Sequence, residues 1–172
     1  MALTDASGRN QLFGAAFLAV AMAAVVGIAL GFQYFGGYMP CELCLKERVP
    51  YYVGVPVMLV ALVAALAGAP AVVTRGLLAV GALLMLIGAG LSVYHAGVEW
   101  HWWAGPSSCT GSSGALSGSA GNLLDALNTV KSPSCDVAAG RFLGLSFSGW
   151  NVVATIVLFA VALKAAFGSN GK

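Results

Sequence analysis

The class of fold follows from a long apolar segment at residues 12–30, LFGAAFLAVAMAAVVGIAL, which carries no charged side chain. A helix rises about 1.5 Å per residue, so about 20 such residues cross the roughly 30 Å hydrocarbon core of a bilayer. Three further segments of this kind follow. The predicted spans lie at about 12–31, 49–68, 74–95 and 145–167. We therefore expect residues 1–172 to form a single integral membrane domain, an all-α bundle of four transmembrane helices.

The overall composition excludes the soluble classes of protein. Hydrophobic residues make up 59% of the 172 residues and charged residues only 8%. Soluble domains have roughly 45–50% apolar residues, even with glycine counted, and about 25% charged residues. The formal net charge of +2 is too small to indicate a nucleic-acid partner. The expected surrounding is a lipid bilayer, and no nucleic-acid partner is expected.

The two long connections, at about 32–48 and 96–144, are separated by two crossings and must face the same compartment. Lys and Arg near the ends of spans favour the cytoplasmic side. The side with the termini carries Arg9, Arg75, Lys164 and Lys172, and the other carries Lys46, Arg48, Lys131 and Arg141. Because this count is a tie, the orientation rests on cysteine chemistry. Disulfides persist outside the cytosol, which favours cytoplasmic termini.

All four cysteines fall in these two connections, and the first pair forms a CxxC unit. Cys41 and Cys44 precede the second apolar segment, so we expect them at a helix N-terminus, where the helix dipole favours a thiolate. Arg48 follows Cys44 by four residues and lies on the same helical face. Its charge would stabilise a Cys44 thiolate or negative charge growing on an electron acceptor.

The second pair, Cys109 and Cys135, lies in a Ser/Gly-rich loop. A disulfide there is expected to be exposed, mobile and open to attack by another protein's thiolate. Between the two cysteines, apolar residues at helical spacing predict a short amphipathic helix on the membrane surface. These residues are Leu116, Ala120, Leu123, Leu124, Leu127 and Val130.

Several polar neighbours have plain structural interpretations. Lys46 is interpreted as an interfacial side chain that reaches water, and Glu47 as its solvated neighbour. His95 and His101 are interpreted as packing or hydrogen-bonding residues near the top of the bundle. The tryptophans mark the aromatic belt of a membrane interface. They are Trp100, Trp102, Trp103 and Trp150.

The four cysteines leave alternatives to a redox centre. An all-cysteine zinc site is generally formed by two pairs of cysteines, each pair close in sequence, whereas Cys109 and Cys135 are far apart in sequence. Two purely structural disulfides are a further alternative. A dithiol beside Arg48 at membrane depth favours redox chemistry over both, and no metal ligand is expected.

The combination of four spans, a CxxC unit at the top of the second and a cysteine pair in the second long loop resembles the DsbB family. These are quinone-linked disulfide oxidases of the bacterial inner membrane. The resemblance covers nearly the whole chain. It is carried by CELCLKER at 41–48, YHAGVE at 94–99, GP at 105–106 before Cys109, and FLGLS…GWN within 142–151.

The resemblance implies a role for each cysteine. Cys41 and Cys44 would be oxidised by quinone, either ubiquinone or menaquinone, with the Cys44 thiolate beside the ring and Arg48 contacting the quinone. Cys109 would form a mixed disulfide with a DsbA-like thioredoxin-fold oxidase. Cys135 would then resolve with the first pair. The termini would be cytoplasmic and both cysteine loops periplasmic.

Two alternatives to this function remain at the sequence level. A VKOR-like quinone-linked enzyme also has four helices and two thiol pairs. That family places its CxxC unit on the last helix of the bundle, with the loop pair earlier, so the order here is reversed. The other alternative is a structural or metal-binding membrane subunit whose cysteines are merely bridged.

Overall fold

The computed structural model describes residues 7–106 and 134–168. Within these ranges the chain forms four long helices: α1 (Arg9–Tyr34), α2 (Glu42–Leu66), α3 (Ala71–Glu99) and α4 (Phe147–Phe167). Each is long and apolar enough to cross a membrane. The predicted four-helix membrane bundle is therefore confirmed. The amphipathic helix predicted between Cys109 and Cys135 lies outside the described residues.

The helices extend beyond the apolar segments that predicted them. Helix α2 begins at Glu42 rather than near residue 49, and α3 continues to Glu99 rather than ending near residue 95. Both extensions lie at the end of the bundle that carries the CxxC unit. Hydropathy marks only the part of a helix inside hydrocarbon, whereas backbone hydrogen bonding continues through the interfacial region. Polar residues of this region are therefore placed on rigid helical turns.

A short hairpin leads the chain into α4. Strands β1 (Arg141–Phe142) and β2 (Leu145–Ser146) pair antiparallel across a turn at Leu143 and Gly144. Both turn residues have positive φ, 52° and 85°, as the tight turns that join two twisted strands require. Ser146 then caps α4, since its hydroxyl accepts a hydrogen bond from the Gly149 backbone N–H at 3.2 Å.

The helices form a ring in which α3 packs on α2 and α4, and α1 packs on the other sides of the same two helices. Small residues permit this close approach. A side chain added at Gly14 of α1 would overlap the Cβ atom of Ala165 in α4. The main core fills the middle of the bundle and includes Leu18, Met22, Met58, Leu78, Met85 and Leu158.

A second, smaller core lies at the end of the bundle where α2 begins and α3 ends. It consists of Cys41, Leu43, Val98 and Cys135, with Cys44 packed against it. Because Cys135 comes from the connection between α3 and α4, this cluster joins both long connections at one place.

Candidate active site

The CxxC unit forms the first turn of α2. Cys41 is the N-cap residue, and its sulfur accepts a hydrogen bond from the Cys44 backbone N–H at 3.2 Å. The two sulfur atoms are free thiols 2.7 Å apart. Cys41 is buried, whereas Cys44 is half-buried. The expected position at a helix N-terminus is confirmed, and little movement separates this dithiol from a disulfide.

Cys41 also lies against an acid–base pair inside the bundle. Its sulfur is 3.6 Å from Nε2 of His95, and Nδ1 of His95 is 2.8 Å from Oε1 of Glu47. On the other side, Oε1 of Glu99 is 3.7 Å from the same Nε2. His95 and Glu47 are 3% and 7% exposed. The imidazole is therefore enclosed by a thiol and two carboxyl groups.

The interpretation of Glu47 as a solvated neighbour is wrong. Three residues after Cys44, it lies on the same face of α2, and that face is covered by α3 and α4. Lys46 lies on the outer face instead, is exposed and pairs with Glu42 at 2.6 Å. His95 does form hydrogen bonds, as expected, but its partners are the thiol and the carboxylate of the site.

The environment of Cys41 favours its thiolate. The hydrogen bond from the Cys44 thiol is the largest influence and lowers the pKa of Cys41 to about 4. Burial acts in the opposite direction, and the contact with His95 lowers the pKa further. The resemblance implied a thiolate at Cys44. In the reduced pair, the surroundings instead favour the thiolate at Cys41.

A cavity of about 320 Å³ opens beside Cys44 between α1, α2 and α4. Its wall is mainly apolar, with aliphatic and aromatic side chains from these helices. The polar side chains that reach it include Gln33, Cys44, Glu47, Arg48, Tyr51 and Asn151. Cys41 does not line it, so Cys44 is the sulfur that faces this space.

Hydrogen bonds fix the polar side chains of the cavity. Nη1 of Arg48 donates to Oε1 of Gln33 at 2.7 Å, which ties α2 to α1. The Tyr51 hydroxyl donates to Oδ1 of Asn151 at 2.7 Å, and Nδ2 of Asn151 donates to Oε2 of Glu47 at 3.1 Å. Arg48 therefore lines the same cavity as Cys44, in agreement with the prediction that the two share a helical face. Asn151, Tyr51 and Glu47 were not predicted as site residues.

Cys135 lies in the same buried cluster as Cys41, Leu43 and Val98, and it is disulfide-bonded. Only 1% of it is exposed. The expectation of an exposed disulfide is therefore wrong for this sulfur, because Cys135 packs against the start of α2 and the end of α3. Cys109 lies outside the described residues.

The structure brings together a dithiol at a helix N-terminus, a disulfide-bonded cysteine packed against it, and an apolar cavity at the depth of the membrane helices. These features define an integral membrane thiol–disulfide oxidoreductase. A family model described as "Disulfide bond formation protein DsbB" matches residues 11–165, so the chain belongs to the DsbB family.

Two curated relatives agree with this assignment, and both carry the name Disulfide bond formation protein B. The one from Saccharophagus degradans is 31% identical over 149 residues, which is 84% of this chain and 87% of the relative. The one from Aromatoleum aromaticum is 30% identical over 149 residues, or 83% and 86% of the two chains. No solved structure shows a significant match.

Family membership decides between the functions left open by the sequence. The protein is a membrane enzyme of disulfide bond formation, a thiol oxidase of a quinone-linked family, rather than a VKOR-like enzyme or a structural subunit. Its four membrane-crossing helices and its family fit a multi-pass protein of the bacterial inner membrane.

Proposed function

We propose that the two cysteine pairs act in series between a soluble thiol oxidase and a membrane quinone. Reduced DsbA-like protein would exchange with the Cys109–Cys135 disulfide, and Cys135 would then exchange with Cys41–Cys44. The observation that carries this proposal is the position of the CxxC unit. Cys41 packs in one cluster with Cys135, whereas Cys44 lines the cavity. Cys41 thus faces the loop cysteine, and Cys44 faces the space proposed for quinone.

The cavity suits a quinone in size and chemistry. Ligand pockets of about 300–1,000 Å³ are typically apolar with a few placed polar groups. Here the apolar wall would hold the ring and the start of the tail. Arg48, held by Gln33, would donate hydrogen bonds to a ring oxygen and favour the negative charge that develops there. A bound quinone supplies an acceptor for two electrons and two protons. Both ubiquinone and menaquinone fit this description.

The residues beneath the CxxC unit would handle the protons. With Cys41 as a thiolate, formation of the disulfide releases two electrons and the one proton that remains on the pair. Nε2 of His95, 3.6 Å from the Cys41 sulfur, is placed to take this proton, and Nδ1 is placed to pass one to Glu47, which lines the cavity. Asn151 holds the other oxygen of Glu47 and fixes its orientation. Protons and electrons would therefore reach the cavity by adjacent routes.

We further propose that the termini are cytoplasmic and both cysteine loops periplasmic. The start of α2 and the end of α3 lie together with Cys135 at one end of the bundle. A soluble client of an oxidising compartment can reach this end only if it faces outward, since disulfides persist outside the cytosol.

The test is quinone reduction by the purified full chain with a reduced DsbA-like protein as electron donor. Cys44→Ser is expected to abolish turnover. Cys109→Ser is expected to block the protein donor while leaving a chemically reduced first pair open to oxidation by quinone. Lys46→Gln, at an exposed position of the same helix, is the control. Full activity of Cys109→Ser with the protein donor would refute the proposed order of transfer.

A further inference from the structure

The first turn of α2 and the last turns of α3 bring three metal-binding atoms together. The Sγ atoms of Cys41 and Cys44 and a ring nitrogen of His95 all lie within 4.8 Å of one another. In a tetrahedral zinc site, bonds of about 2.3 Å to sulfur and 2.0–2.1 Å to nitrogen place these two atom types roughly 3.5 Å apart. The distance from Cys41 Sγ to His95 Nε2 is 3.6 Å. This pair already has the spacing of two ligands of one ion.

The hydrogen bonding of the His95 ring is that of a typical metal-binding histidine. Its Nδ1 faces Oε1 of Glu47 at 2.8 Å, and the second oxygen of Glu47 accepts a hydrogen bond from Asn151. With Nδ1–H donating to the carboxylate, the lone pair of Nε2 points toward Cys41. A carboxylate behind the imidazole is the usual outer shell of a zinc-bound histidine, where it fixes the ring and raises its basicity.

We propose that the reduced Cys41–Cys44 pair and His95 form a three-ligand site for a thiophilic divalent cation of the Zn²⁺ class, with water in the fourth position. Thiolate and imidazole ligands select zinc-like ions over Mg²⁺ and Ca²⁺. Both cysteines bind as thiolates: any proton still on a sulfur passes to solvent, each sulfur forms a bond to the metal, and no electron is transferred. Cys135 is no ligand, because it is disulfide-bonded. This site differs from the four-cysteine zinc site weighed from the sequence.

Metal binding and disulfide formation exclude each other at this site. Two sulfurs on one tetrahedral ion are roughly 3.8 Å apart, whereas a disulfide holds them at about 2.05 Å. The cation therefore binds only the dithiol and keeps it reduced. The consequence that zinc stops turnover rests on the proposed function, since it requires that this dithiol be oxidised in each cycle. Metal binding by the reduced dithiol does not depend on the proposed function.

The test uses the full chain in detergent, reduced with a phosphine, with Co²⁺ as a spectroscopic probe and no quinone or partner protein. A Cys109→Ser, Cys135→Ser variant restricts the free thiols to the CxxC unit. One equivalent of Co²⁺ is expected, with the ligand-field and sulfur charge-transfer bands of a tetrahedral thiolate site, and Zn²⁺ is expected to displace it. The same preparation oxidised to the disulfide is expected to show no such bands.

Variants separate this site from unspecific thiol binding. Cys44→Ser is expected to lose the tetrahedral spectrum. Glu47→Gln should keep the spectrum but weaken affinity about 10–100-fold, the usual effect of an outer-shell change, while exposed Lys46→Gln should change neither.

An octahedral spectrum in the reduced protein, equal binding by the oxidised protein, or unchanged affinity in His95→Ala would each overturn the proposal. Metal binding is measured without quinone. Absence of metal binding would therefore not contradict the proposed electron transfer, and absence of electron transfer would not affect the interpretation of the metal titration.

Discussion

Nδ1 of His95 in α3 lies 2.8 Å from Oε1 of Glu47 in α2, and both side chains are buried beneath the CxxC unit. Ionisable side chains inside membrane bundles are costly and are retained where they carry function. The pair connects Cys41 with the cavity by a path that is separate from Cys44. His95 contacts Cys41, and Glu47 reaches the cavity that Cys44 faces. In the proposed function, this pair therefore carries protons between the dithiol and the cavity.

Glu47→Gln is expected to slow reoxidation of the CxxC pair by quinone about 100-fold, in the range usual for loss of a general acid–base group. Glutamine keeps the size of the side chain and a hydrogen bond to His95, but it cannot carry a proton onward. Exchange between the loop disulfide and the protein donor should be unchanged. Stopped-flow quinone absorbance measures the first step, and gel-shift trapping of the mixed disulfide measures the second.

The matched control for this variant is Glu42→Gln, which removes a half-buried carboxylate that pairs with Lys46 on the same helix. It should leave both rates within about twofold, since exposed ion pairs contribute little. If the two variants slow reoxidation equally, the effect reflects charge near the sulfurs rather than the His95–Glu47 contact.

The lowered pKa of Cys41 predicts an unusual pH dependence of alkylation. A pKa of about 4, compared with an ordinary 9.0, means that Cys41 is a thiolate throughout the neutral range. Its reaction with iodoacetamide in the reduced protein should be nearly constant with pH there and should fall only as pH approaches 4. In Cys44→Ala the largest cause of the shift is gone, so the rate should rise with pH across the neutral range. Mass spectrometry of the modified peptide measures both profiles.

The same shift predicts how the stability of the reduced protein depends on pH. Because the folded-state pKa lies below the unfolded-state value, the thiolate stabilises the fold fully above about pH 9, and this contribution is lost as pH falls towards 4. The oxidised protein lacks this titration, since a disulfide does not ionise. The difference in melting temperature between the two redox forms should therefore change in this window and flatten below it.

The sequence predicted the four helices well because each is defined by a local property, an uninterrupted apolar window. It also placed the CxxC unit correctly at a helix start and Arg48 on the same face. These inferences depend only on the residues within about two helical turns of the position concerned. The position of Cys41 at the N-cap and the presence of Arg48 at the cavity agree with them.

Sequence reasoning failed where burial depends on distant parts of the chain. An acid next to a lysine at a membrane interface is ordinarily solvated, and nothing within α2 shows that α3 and α4 cover Glu47. Asn151, about a hundred residues away, supplies one of its hydrogen bonds. The spacing of Glu47 from Cys44 was the available signal, since residues three apart share a helical face. Burial of Cys135 likewise depends on residues far from it in sequence, since Cys41 and Leu43 of the α2 end cover it.

Arg48→Ala is expected to raise the KM for quinone about 10–100-fold, the effect of losing a hydrogen bond from a charged group. Electron transfer from the protein donor to the CxxC pair should be little changed, because Arg48 points to the cavity and to Gln33 rather than to Cys135. Steady-state kinetics with varied quinone and fixed donor measure the effect. An equal loss of kcat at saturating quinone would instead assign Arg48 to the sulfur chemistry.

Two glycines of α1 offer a paired test of the packing that holds the cavity wall in place. A side chain at Gly14 would overlap Ala165 of α4, whereas one at Gly27 would meet no atom within 4 Å. Gly14→Val should therefore force α1 away from α4 and destabilise the bundle by about 1–3 kcal/mol, as overpacking usually does. Gly27→Val should leave the melting temperature in detergent nearly unchanged, because the added atoms face lipid or detergent. Equal melting temperatures for the two variants would show that α1 and α4 do not approach each other as closely as described.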